Sequence, residues 1–326
     1  MQPASVHPSA SRHRSALALF AGLGSTWVFV LVTLGAFTTS IGAGMAFPDW
    51  PLSNGSINPD GWLEDIGMFA EHSHRLSGMM MGLITIGLAI WISRVEERRW
   101  VRHLAWWALG IVIFQGIIGG NRVLLDRFSI PGFHMTLGQM LRVPHGVLAQ
   151  LYACLLIGIA VTCSRSWIER PLPIGARVRQ VGLACCGLLV LQLVIATTMR
   201  HNGAGLAILT FPHSTPEGNW LPATWDFRVA VHFAHRVMAV ILAVALTFLA
   251  WSVRRDQAST LALRAAASAL ISLLVLQILL GMGIIFTLRR PIYTTSHVVV
   301  GALLLCVTFW ITWVAHRDRL ERPSAS

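Results

Sequence analysis

The sequence predicts an all-α integral membrane protein whose eight transmembrane helices form two parallel-repeated four-helix bundles. Hydrophobic residues make up 55% of the 326 residues, and charged residues make up only 12%. With a mean hydropathy of +0.63, the chain is too apolar for a soluble globule of this length. Eight stretches are apolar over the roughly 20 residues that a helix needs to cross a bilayer. The second half of the chain also repeats motifs of the first.

The predicted spans divide the chain into two halves of four helices each. Their limits, in chain order, are 15–41, 67–93, 103–121, 135–163, 179–200, 227–252, 262–288 and 294–315. The first stretch is as long as a membrane span, which favours a helix over a cleavable signal peptide. The resulting parts are a cytoplasmic tail at 1–14, an N-terminal half at 15–164, a cytoplasmic linker at 165–178, a C-terminal half at 179–315 and a cytoplasmic tail at 316–326.

The placement of arginines predicts the orientation in the membrane. All 25 basic residues are arginines, and they concentrate in the tails and in alternate loops. Those in the loops are Arg94, Arg98, Arg99, Arg102, Arg165, Arg170, Arg177, Arg179, Arg254, Arg255 and Arg264. The positive-inside rule puts these loops and both termini in the cytoplasm, although the pair Arg289-Arg290 lies on the predicted outer side. Because the arginines form no single stripe, the net charge of +11 does not indicate nucleic-acid binding.

The internal repeat consists of four motifs that occur in the same order in both halves. They are Gly42-Ala43-Gly44 and Gly203-Ala204-Gly205, His74-Arg75 and His235-Arg236, Gln115 with Gly119 and Gln277 with Gly281, and finally His145 and His297. The offset is 161 residues for the first two motifs, 162 for the third and 152 for the last. Since four helices return the chain to its starting side, both halves enter the membrane in the same orientation. This is a parallel repeat with a pseudo-twofold axis along the membrane normal.

Four histidines occupy matched places in the repeat, and each lies in the outer half of its predicted span. They are His74, His145, His235 and His297. A lone histidine in a spanning helix is explained by an interhelical hydrogen bond, but two pairs in duplicated register favour ligands. Zinc would need more protein ligands than two imidazoles offer, whereas a histidine pair from neighbouring helices can bind a haem iron. We therefore expect two haem sites, His74 with His145 and His235 with His297, both toward the outer side.

Charged residues beside these histidines have more than one interpretation. Arg75 and Arg236 directly follow two ligand candidates, and pairing with a haem propionate would offset the cost of an arginine inside a span. The alternative is that both arginines reach the lipid headgroups. Glu71 lies three residues before His74 on the same helix face. It is a candidate proton carrier or a stabiliser of positive charge on a substrate, and the alternative is an interfacial residue in contact with water. The repeat places His232 at the position of Glu71, so only the first half has this carboxylate.

Together these motifs make the sequence similar to the haem A synthase family over roughly residues 15–315. The resemblance rests on Glu-x-x-His-Arg from Glu71, Gln-x-x-x-Gly-Gly-x-Arg-Val from Gln115, Arg-His-x-Gly-Ala-Gly-Leu-Ala from Arg200, His-Arg from His235 and Thr-x-His-Val-x-x-Gly-Ala-Leu from Thr295. One branch of that family has a cysteine pair in the first outer loop. The five cysteines of this sequence all lie in predicted spans instead, so we expect no disulfide and no thiol chemistry in that loop.

The resemblance implies a reaction, a cofactor and a location. Members of the family oxidise a methyl group of haem O to the formyl group of haem A, in the bacterial plasma (inner) membrane and with a bound haem B. For this sequence the resemblance implies that His235 and His297 bind the iron of haem B. It implies that His74 and His145 bind the iron of the substrate and that Glu71 is the catalytic acid. It also implies an electron donor or acceptor in the membrane, and haem O synthase as a partner enzyme.

Other functions are compatible with the duplicated histidines. A dihaem b-type membrane cytochrome that passes electrons, for example from quinol to an outer acceptor, accounts for both pairs but not for a carboxylate in one half only. A transporter with repeated halves is a further alternative. Haem O synthase activity is disfavoured, because the 14 acidic residues include no paired Asp-x-x-x-Asp for a prenyl diphosphate and magnesium.

Overall fold

The computed structural model of the protein describes residues 8–130, 135–169 and 172–321, with side chains from residue 15 onward. Within these ranges the regular secondary structure is helical, and no strand occurs. Arg170, the loop histidine His134 and the side chains of the predicted first tail lie outside the described residues.

Ten α-helices occur in the described part of the chain. They are α1 (Pro8–Ser40), α2 (Ile66–Val95), α3 (Arg99–Leu124), α4 (Leu137–Thr162), α5 (Arg165–Glu169), α6 (Ala176–His201), α7 (Phe227–Arg255), α8 (Leu261–Phe286), α9 (Pro291–Ala315) and α10 (Arg317–Leu320). All except the short helices α5 and α10 are long and apolar enough to cross a membrane, which gives eight spans. The predicted all-α membrane fold with eight spans is therefore confirmed. The parallel repeat and the cytoplasmic position of both termini stay predictions.

Helices α3 and α9 begin earlier than the predicted spans, one at an arginine and the other at a proline. Helix α3 begins at Arg99, ahead of the predicted start at residue 103. An arginine side chain can extend along the helix and keep its charge in water, so a charged residue does not have to end the helix. Helix α9 begins at Pro291, ahead of the predicted start at residue 294. Proline suits the first turn of a helix, where its missing N–H group would have no partner anyway.

The two helices that carry the first histidine of each pair begin with the same cap. The side chain of Asp65 accepts a hydrogen bond from a backbone N–H group of the first turn of α2, at 2.7 Å. Asp226 does the same for α7, also at 2.7 Å. Such a cap satisfies an N–H group that the helix itself leaves unpaired. Each aspartate lies nine residues before its histidine, His74 or His235, so both histidines take the same position in their helices.

The spanning helices pack as two closed groups. Helices α1, α2, α3 and α4 contact one another in a ring, and α6, α7, α8 and α9 form a second ring in the same order. The rings meet where α1 contacts α9, α4 contacts α6, and α4 contacts α9. Exchanging α1 with α6 and α4 with α9 leaves this set of contacts unchanged, as a pseudo-twofold axis would require. At the α4–α9 contact the Sγ atoms of Cys154 and Cys306, which are 152 residues apart in the chain, lie 3.9 Å from each other.

A hydrogen-bonded network joins several helix ends on the predicted inner side. Arg98 donates to both oxygens of Glu96 at 2.9 Å, to Glu321 at 2.5 Å and to the carbonyl oxygen of Thr162 at 3.0 Å. The indole of Trp167 donates to the same carboxylate of Glu321 at 2.6 Å. Burial alone would lower the pKa of Arg98, but the two carboxylates outweigh burial and raise that pKa above its ordinary value. The network thus connects the first half and the linker to the end of the second half.

Candidate functional site

The structure brings the four predicted histidines together in two pairs. The ring centroids of His74 on α2 and His145 on α4 lie 6.5 Å apart, with 76° between the ring planes. Those of His235 on α7 and His297 on α9 lie 6.2 Å apart, with 56° between the planes. Three of the histidines are the ninth residue of their helix and His297 is the seventh, so all four lie at a similar depth.

The spacing of each pair fits one metal ion between two imidazoles. An imidazole nitrogen bonds a metal at about 2.0–2.1 Å, so rings on opposite sides of a metal have centroids roughly 6 Å apart. The Nδ1 atoms of His145, His235 and His297 are buried and have no hydrogen-bond partner in the described ranges. Because buried polar atoms are nearly always paired, these atoms indicate a ligand. No group of three or more histidine, cysteine or acidic side chains among the described residues could hold a metal ion. A haem, whose macrocycle supplies the remaining iron ligands, fits these pairs.

Glycines on neighbouring helices leave room for three of the four rings. A Cβ atom on Gly35 of α1 would lie 2.8 Å from Cε1 of His74. A Cβ atom on Gly119 of α3 would lie 3.2 Å from Cε1 of His145. Its repeat mate, the residue at the matching position of the second half, is Gly281 of α8, where a Cβ atom would lie 3.2 Å from Cε1 of His297. These distances are shorter than an ordinary carbon–carbon contact, so a larger residue would displace the imidazole. The sequence motifs contain Gly119 and Gly281, whereas Gly35 belongs to none of them.

Polar groups fix the ligand-bearing turns of the first half. The Nδ1 atom of His74 lies 3.1 Å from the carbonyl oxygen of Leu31 on α1. Such a contact makes Nδ1 the protonated nitrogen and leaves Nε2 free to bind a metal. Gln115 of α3 donates from Nε2 to the carbonyl oxygen of His145 at 2.9 Å. Helices α1 and α3 therefore orient the ligands that α2 and α4 carry.

The second half uses glutamines for the same purpose, with different contacts. Gln192 of α6 donates to the carbonyl oxygen of His235 at 3.0 Å. The Nε2 atom of Gln277 on α8 lies 3.2 Å from Nε2 of His297. The repeat mate of Gln277 in the first half, Gln115, contacts the backbone of its histidine and not the ring. The two pairs are thus similar in spacing and different in their surroundings.

Glu71 lies one helical turn before His74 on α2 and is only 1% exposed. Its Oε2 atom accepts hydrogen bonds from the N–H groups of Ala46 at 2.7 Å and Phe47 at 3.3 Å, both in the outer loop between α1 and α2. Its Oε1 atom accepts from Arg75 at 2.7 Å, and Arg122 of α3 lies 4.0 Å away. The carboxylate therefore holds α2, α3 and the outer loop together.

His232 takes the place of Glu71 in the second half. The N–H group of Ile208 in the second outer loop lies 3.2 Å from Nδ1 of His232, and Nε of Arg236 lies 3.3 Å from Nε2. A neutral imidazole has a single acceptor nitrogen, so His232 accepts one hydrogen bond where Glu71 accepts three. Anchoring of an outer loop is common to both halves, and the carboxylate is specific to the first.

Arg75 and Arg236 also hold the backbones of the outer loops. Nη1 of Arg75 donates to the carbonyl oxygens of Asp49 at 2.8 Å and Leu52 at 2.6 Å, and Nη2 donates to that of Phe47 at 3.2 Å. Arg236 donates from its two Nη atoms to three carbonyl oxygens of the second loop. The loop carbonyl oxygens thus already accept hydrogen bonds from the guanidinium N–H groups that would bind a haem propionate. The predicted propionate contacts of both arginines stay predictions.

The carboxylate of Asp49 orders the first outer loop further. It accepts hydrogen bonds from the N–H groups of Asn54 at 2.8 Å and Gly55 at 2.7 Å. Burial alone would raise the pKa of Asp49, but the N–H groups of Gly55 and Asn54 and the charge of Arg75 hold that pKa below its ordinary value. The carboxylate of Asp49 therefore stabilises the loop fully when the pH is above the ordinary pKa of an aspartate. This stabilisation is lost as the pH falls through the lowered pKa of Asp49.

Two arginines near the first pair have no charged counterpart in the second half. Arg122 lies on α3 one turn after the glycine that faces His145, and it donates to a carbonyl oxygen of the outer loop at 2.9 Å. Arg142 lies on α4 one turn before His145, and it pairs with Asp126 at 3.1 Å. The repeat mates of these arginines are Ile284 and Thr294. The motifs of the sequence assign Arg122 no role, although comparing the halves position by position would reveal the difference.

Two further histidines, His72 and His213, contact loop residues. The Nδ1 atom of His72 lies 3.0 Å from the hydroxyl of Ser53 in the first outer loop. The ring of His213 in the second loop packs edge-on against Trp220, with 4.7 Å between the ring centroids. His201 is the last residue of α6. These contacts position the loops that cover the outer ends of the helices.

The sequence matches known proteins over most of its length. A model of the COX15-CtaA family, described as a cytochrome oxidase assembly protein, matches residues 64–309. A relative from Symbiobacterium thermophilum is 30% identical over 243 residues, which cover 72% of this chain and 74% of the relative. A relative from Halalkalibacterium halodurans is 25% identical and covers 94% of this chain and 99% of its own length. One from Shewanella oneidensis is 26% identical and covers 88% and 94%, respectively. All three are named heme A synthase.

The matched region begins before the first histidine pair and ends after the second, so it includes both candidate sites. It also includes most of the eight helices that are apolar enough to span a membrane. The chain belongs to the haem A synthase family of cytochrome oxidase assembly proteins, and it is an integral membrane oxidoreductase of haem A biosynthesis.

Proposed function

We propose that this protein oxidises a methyl group of haem O to the formyl group of haem A. The observation that carries the proposal is an asymmetry between two otherwise similar halves. Both halves bring two histidines together, with 6.5 and 6.2 Å between the ring centroids. The first half adds the buried carboxylate of Glu71 and the arginines Arg122 and Arg142. This difference supports one site for chemistry and one for a resident cofactor.

His235 and His297 would bind a resident haem B in the C-terminal half. When bound there, haem B supplies a redox centre that gains or loses one electron at a time. Gln192 fixes the turn that carries His235. The amide nitrogen of Gln277 lies at Nε2 of His297, so Gln277 would have to release this nitrogen before it could bind iron. His232 occupies the position that belongs to the carboxylate in the first half, so we assign no proton carrier to this site.

His74 and His145 would bind the iron of haem O in the N-terminal half. Ligands from two separate helices fix the substrate between α2 and α4. The carbonyl oxygen of Leu31 orients His74, and Gly35 lets that ring lie against α1. Fixed positioning of this kind supplies a large share of enzymatic rate enhancement, because it replaces a chance encounter with one geometry.

Glu71 would act as the catalytic acid–base group of the first site. With water as the source of the oxygen atom, oxidation of a methyl group to a formyl group releases protons and electrons, and the electrons would pass to the acceptor in the membrane. A carboxylate one turn from an iron ligand can take up a proton at Oε1 or Oε2. The N–H groups of Ala46 and Phe47 and the guanidinium of Arg75 hold this carboxylate in one orientation. The same contacts attach the loop between α1 and α2 to helix α2.

Arginines near the two histidine pairs would bind the haem propionates. Arg75 and Arg236 would have to release loop carbonyl oxygens before they could bind a propionate. Arg122 and Arg142 lie one turn outward of the ligand level in the first half, so they are additional candidates for the substrate propionates.

We further propose that both sites lie toward the periplasmic side of a bacterial plasma membrane, with both termini in the cytoplasm. The arginine distribution supports this orientation. The exchangeable contacts among α1, α4, α6 and α9 support a parallel repeat of the halves 15–164 and 179–315. Haem O would come from haem O synthase in the same lipid bilayer, and the electrons would pass to an electron acceptor in the membrane.

The proposal is tested by extracting haem from the purified protein and analysing it by mass. We expect haem A or a hydroxylated form of haem O beside haem B. The double variant His74→Ala, His145→Ala is the control, and it should keep haem B alone. Wild-type protein that yields haem B as the occupant of both halves would contradict the proposal. Two equivalent haem B sites are what a dihaem b-type cytochrome would contain, so that result would favour an electron carrier.

A further inference from the structure

A groove with basic walls lies between α2 and α3, at the ends of these helices that face the predicted inner side. Its volume is about 420 Å³, and its lining residues are Ser93 of α2 and Arg99, Arg102, His103 and Trp106 of α3. The four residues of α3 follow the spacing i, i+3, i+4 and i+7, so they share one face of that helix. Among the described residues, no acidic side chain lines the groove. The groove therefore presents positive charge from a single helix face.

The cations of the groove have no anionic partner among the described residues. None of the ion pairs found there includes Arg99, Arg102 or His103. The neighbouring Arg98 differs, because it pairs with Glu96 at 2.9 Å. Arg99 and His103 are exposed, and Arg102 is half-buried. Two guanidinium groups and an imidazole are thus available to donate hydrogen bonds to one anion.

The second half has a hydrogen bond at the place that corresponds to the groove. The repeat mates of Ser93 and Trp106 are Arg254 and Ser268. Nη2 of Arg254 donates to the hydroxyl of Ser268 at 2.6 Å, which joins α7 to α8 where the first half leaves a groove between α2 and α3. Both inner loops are rich in arginine, so orientation in the membrane does not by itself require an open groove in one of them. The difference between the halves indicates a ligand for the first.

An apolar stripe continues from the groove toward the middle of the membrane. The exposed apolar residues of this face of α3 are, in order, Trp106, Ile113, Phe114 and Ile117. Gly110 lies between them, and a Cβ atom there would meet no atom within 4 Å. Tryptophan concentrates at the level of lipid headgroups. The groove therefore lies where a headgroup would lie, and the stripe lies where an acyl chain would follow it.

We propose that this groove binds the phosphate headgroup of an anionic phospholipid from the inner leaflet. Arg99 and Arg102 would donate charge-assisted hydrogen bonds to the phosphate oxygens, and His103 would donate one more. An acyl chain would lie along the apolar stripe of α3. Basic pockets between spanning helices on the cytoplasmic side suit anionic headgroups in this way. A lipid fits better than free phosphate, because only a lipid would also cover the apolar stripe.

The test measures lipid binding to the purified protein in detergent by native mass spectrometry. The wild type is titrated with phosphatidylglycerol, and the tightest binding event is compared between variants. The double variant Arg99→Gln, Arg102→Gln should raise the Kd of that event roughly 10–30-fold. The matched control is Arg255→Gln, Arg264→Gln, which removes the same charge from the inner end of the second half. It leaves the hydrogen bond between α7 and α8 intact and should leave the Kd unchanged.

A further double variant separates the shape of the groove from its charge. Ser93→Arg, Trp106→Ser copies the pair that joins α7 to α8. It should fill the groove and weaken the binding of phosphatidylglycerol, although it adds a positive charge. Attraction by charge alone would instead become stronger. An unchanged or lower Kd in this variant would therefore overturn the proposal.

The lipid assignment has its own controls. Phosphatidylcholine carries the same phosphate without a net charge and should bind more weakly than phosphatidylglycerol. Displacement of phosphatidylglycerol by millimolar inorganic phosphate would identify a site for free phosphate and contradict a lipid ligand. Equal weakening in the two arginine variants would show that overall charge explains binding, and it would also overturn the proposal. Size-exclusion chromatography establishes that each variant is folded before the Kd values are compared.

Discussion

Glu71 and His232 occupy equivalent positions of a repeated unit, yet they have different chemical capacities. Each contacts a backbone N–H group of an outer loop and an arginine one turn further along its helix. The sequence difference alone argues against a purely structural requirement for the acid, because the second half has no equivalent acid. The structure shows that the position is structural in both halves. A catalytic role of Glu71 must therefore be tested separately from its contribution to the loop.

Substitution of Glu71 by histidine separates the two roles. Glu71→His copies the second half and should keep the outer loop anchored, as His232 does, while it removes the carboxylate. Glu71→Gln removes the charge and keeps the size of the side chain. Loss of a general acid–base group lowers rates by about 10²–10⁴-fold, so both variants should form haem A more slowly by that factor and keep the haem B spectrum.

His232→Gln is the matched control for these variants and should change the rate of haem A formation far less. The measurement is the amount of haem A formed per unit time by purified protein supplied with haem O. A normal rate in Glu71→His would assign Glu71 to loop anchoring alone, and the dihaem electron carrier would become the better explanation of the four histidines.

Alanine substitution of a glycine that faces a histidine ring should weaken haem binding in the half that contains this glycine. A Cβ atom in Gly35→Ala would lie 2.8 Å from Cε1 of His74, and one in Gly281→Ala would lie 3.2 Å from Cε1 of His297. Displacing a ring from its rotamer costs about 0.5–1.5 kcal/mol, which corresponds to roughly 2–10-fold in affinity. Gly35→Ala should therefore weaken haem O binding, and Gly281→Ala should weaken haem B binding.

Gly110→Ala is the control for these substitutions, because a Cβ atom there would meet nothing within 4 Å. Alanine stabilises a helix relative to glycine by roughly 0.5–1 kcal/mol, so the control measures that general effect without a displaced ring. Haem titrations of the three variants provide the comparison. Equal loss of both haems in Gly35→Ala would indicate a global change in helix packing.

At the scale of helices and loops, local patterns predict most of what the structure contains. Apolar length predicts all eight spans, and the repeat predicts which histidines meet. The loop contacts of Glu71 and Arg75 are not predictable in this way, because they join α2 to backbone groups more than twenty residues away. Nothing in the pattern around residue 71 specifies which loop N–H groups come close. The same holds for Gly35, whose contact with His74 depends on how α1 packs against α2.

The orientation of the helices is a prediction that reporter fusions can check. Fusions after Arg98 and Arg254 should place the reporter in the cytoplasm, because these residues lie in arginine-rich loops. Fusions after Ser56 and Gly218 should place it outside, because they lie in the outer loops that contact Arg75 and Arg236. The opposite pattern would move both haem sites to the inner face and contradict the periplasmic location proposed for them.

On the scale of the whole molecule, the two halves are closed helix rings that share few elements. In the described part of the chain, the main helix contacts between the halves join α1 and α4 of the first half to α6 and α9 of the second. Helices α2 and α7, which carry His74 and His235, lie outside this contact. Each candidate site is therefore built from the helices of one half. Independent occupation of the two sites follows from this arrangement.

Removal of the second-half ligands should consequently affect one haem only. His235→Ala and His297→Ala each leave a single protein ligand for the iron of haem B, so purified protein should lose most of its haem B. The first half should still bind haem O with an affinity close to that of the wild type, since its ligands and their supports at Leu31, Gly35 and Gln115 are unchanged. Haem extraction measures the loss, and haem O titration measures the retained site.

His297 lies on α9, which contacts α1 and α4, whereas His235 lies on α7, away from the contact. Loss of haem O binding in His297→Ala alone would reveal coupling across the contact between the two halves. Near-normal haem B content in both variants would refute the assignment of His235 and His297 as haem B ligands.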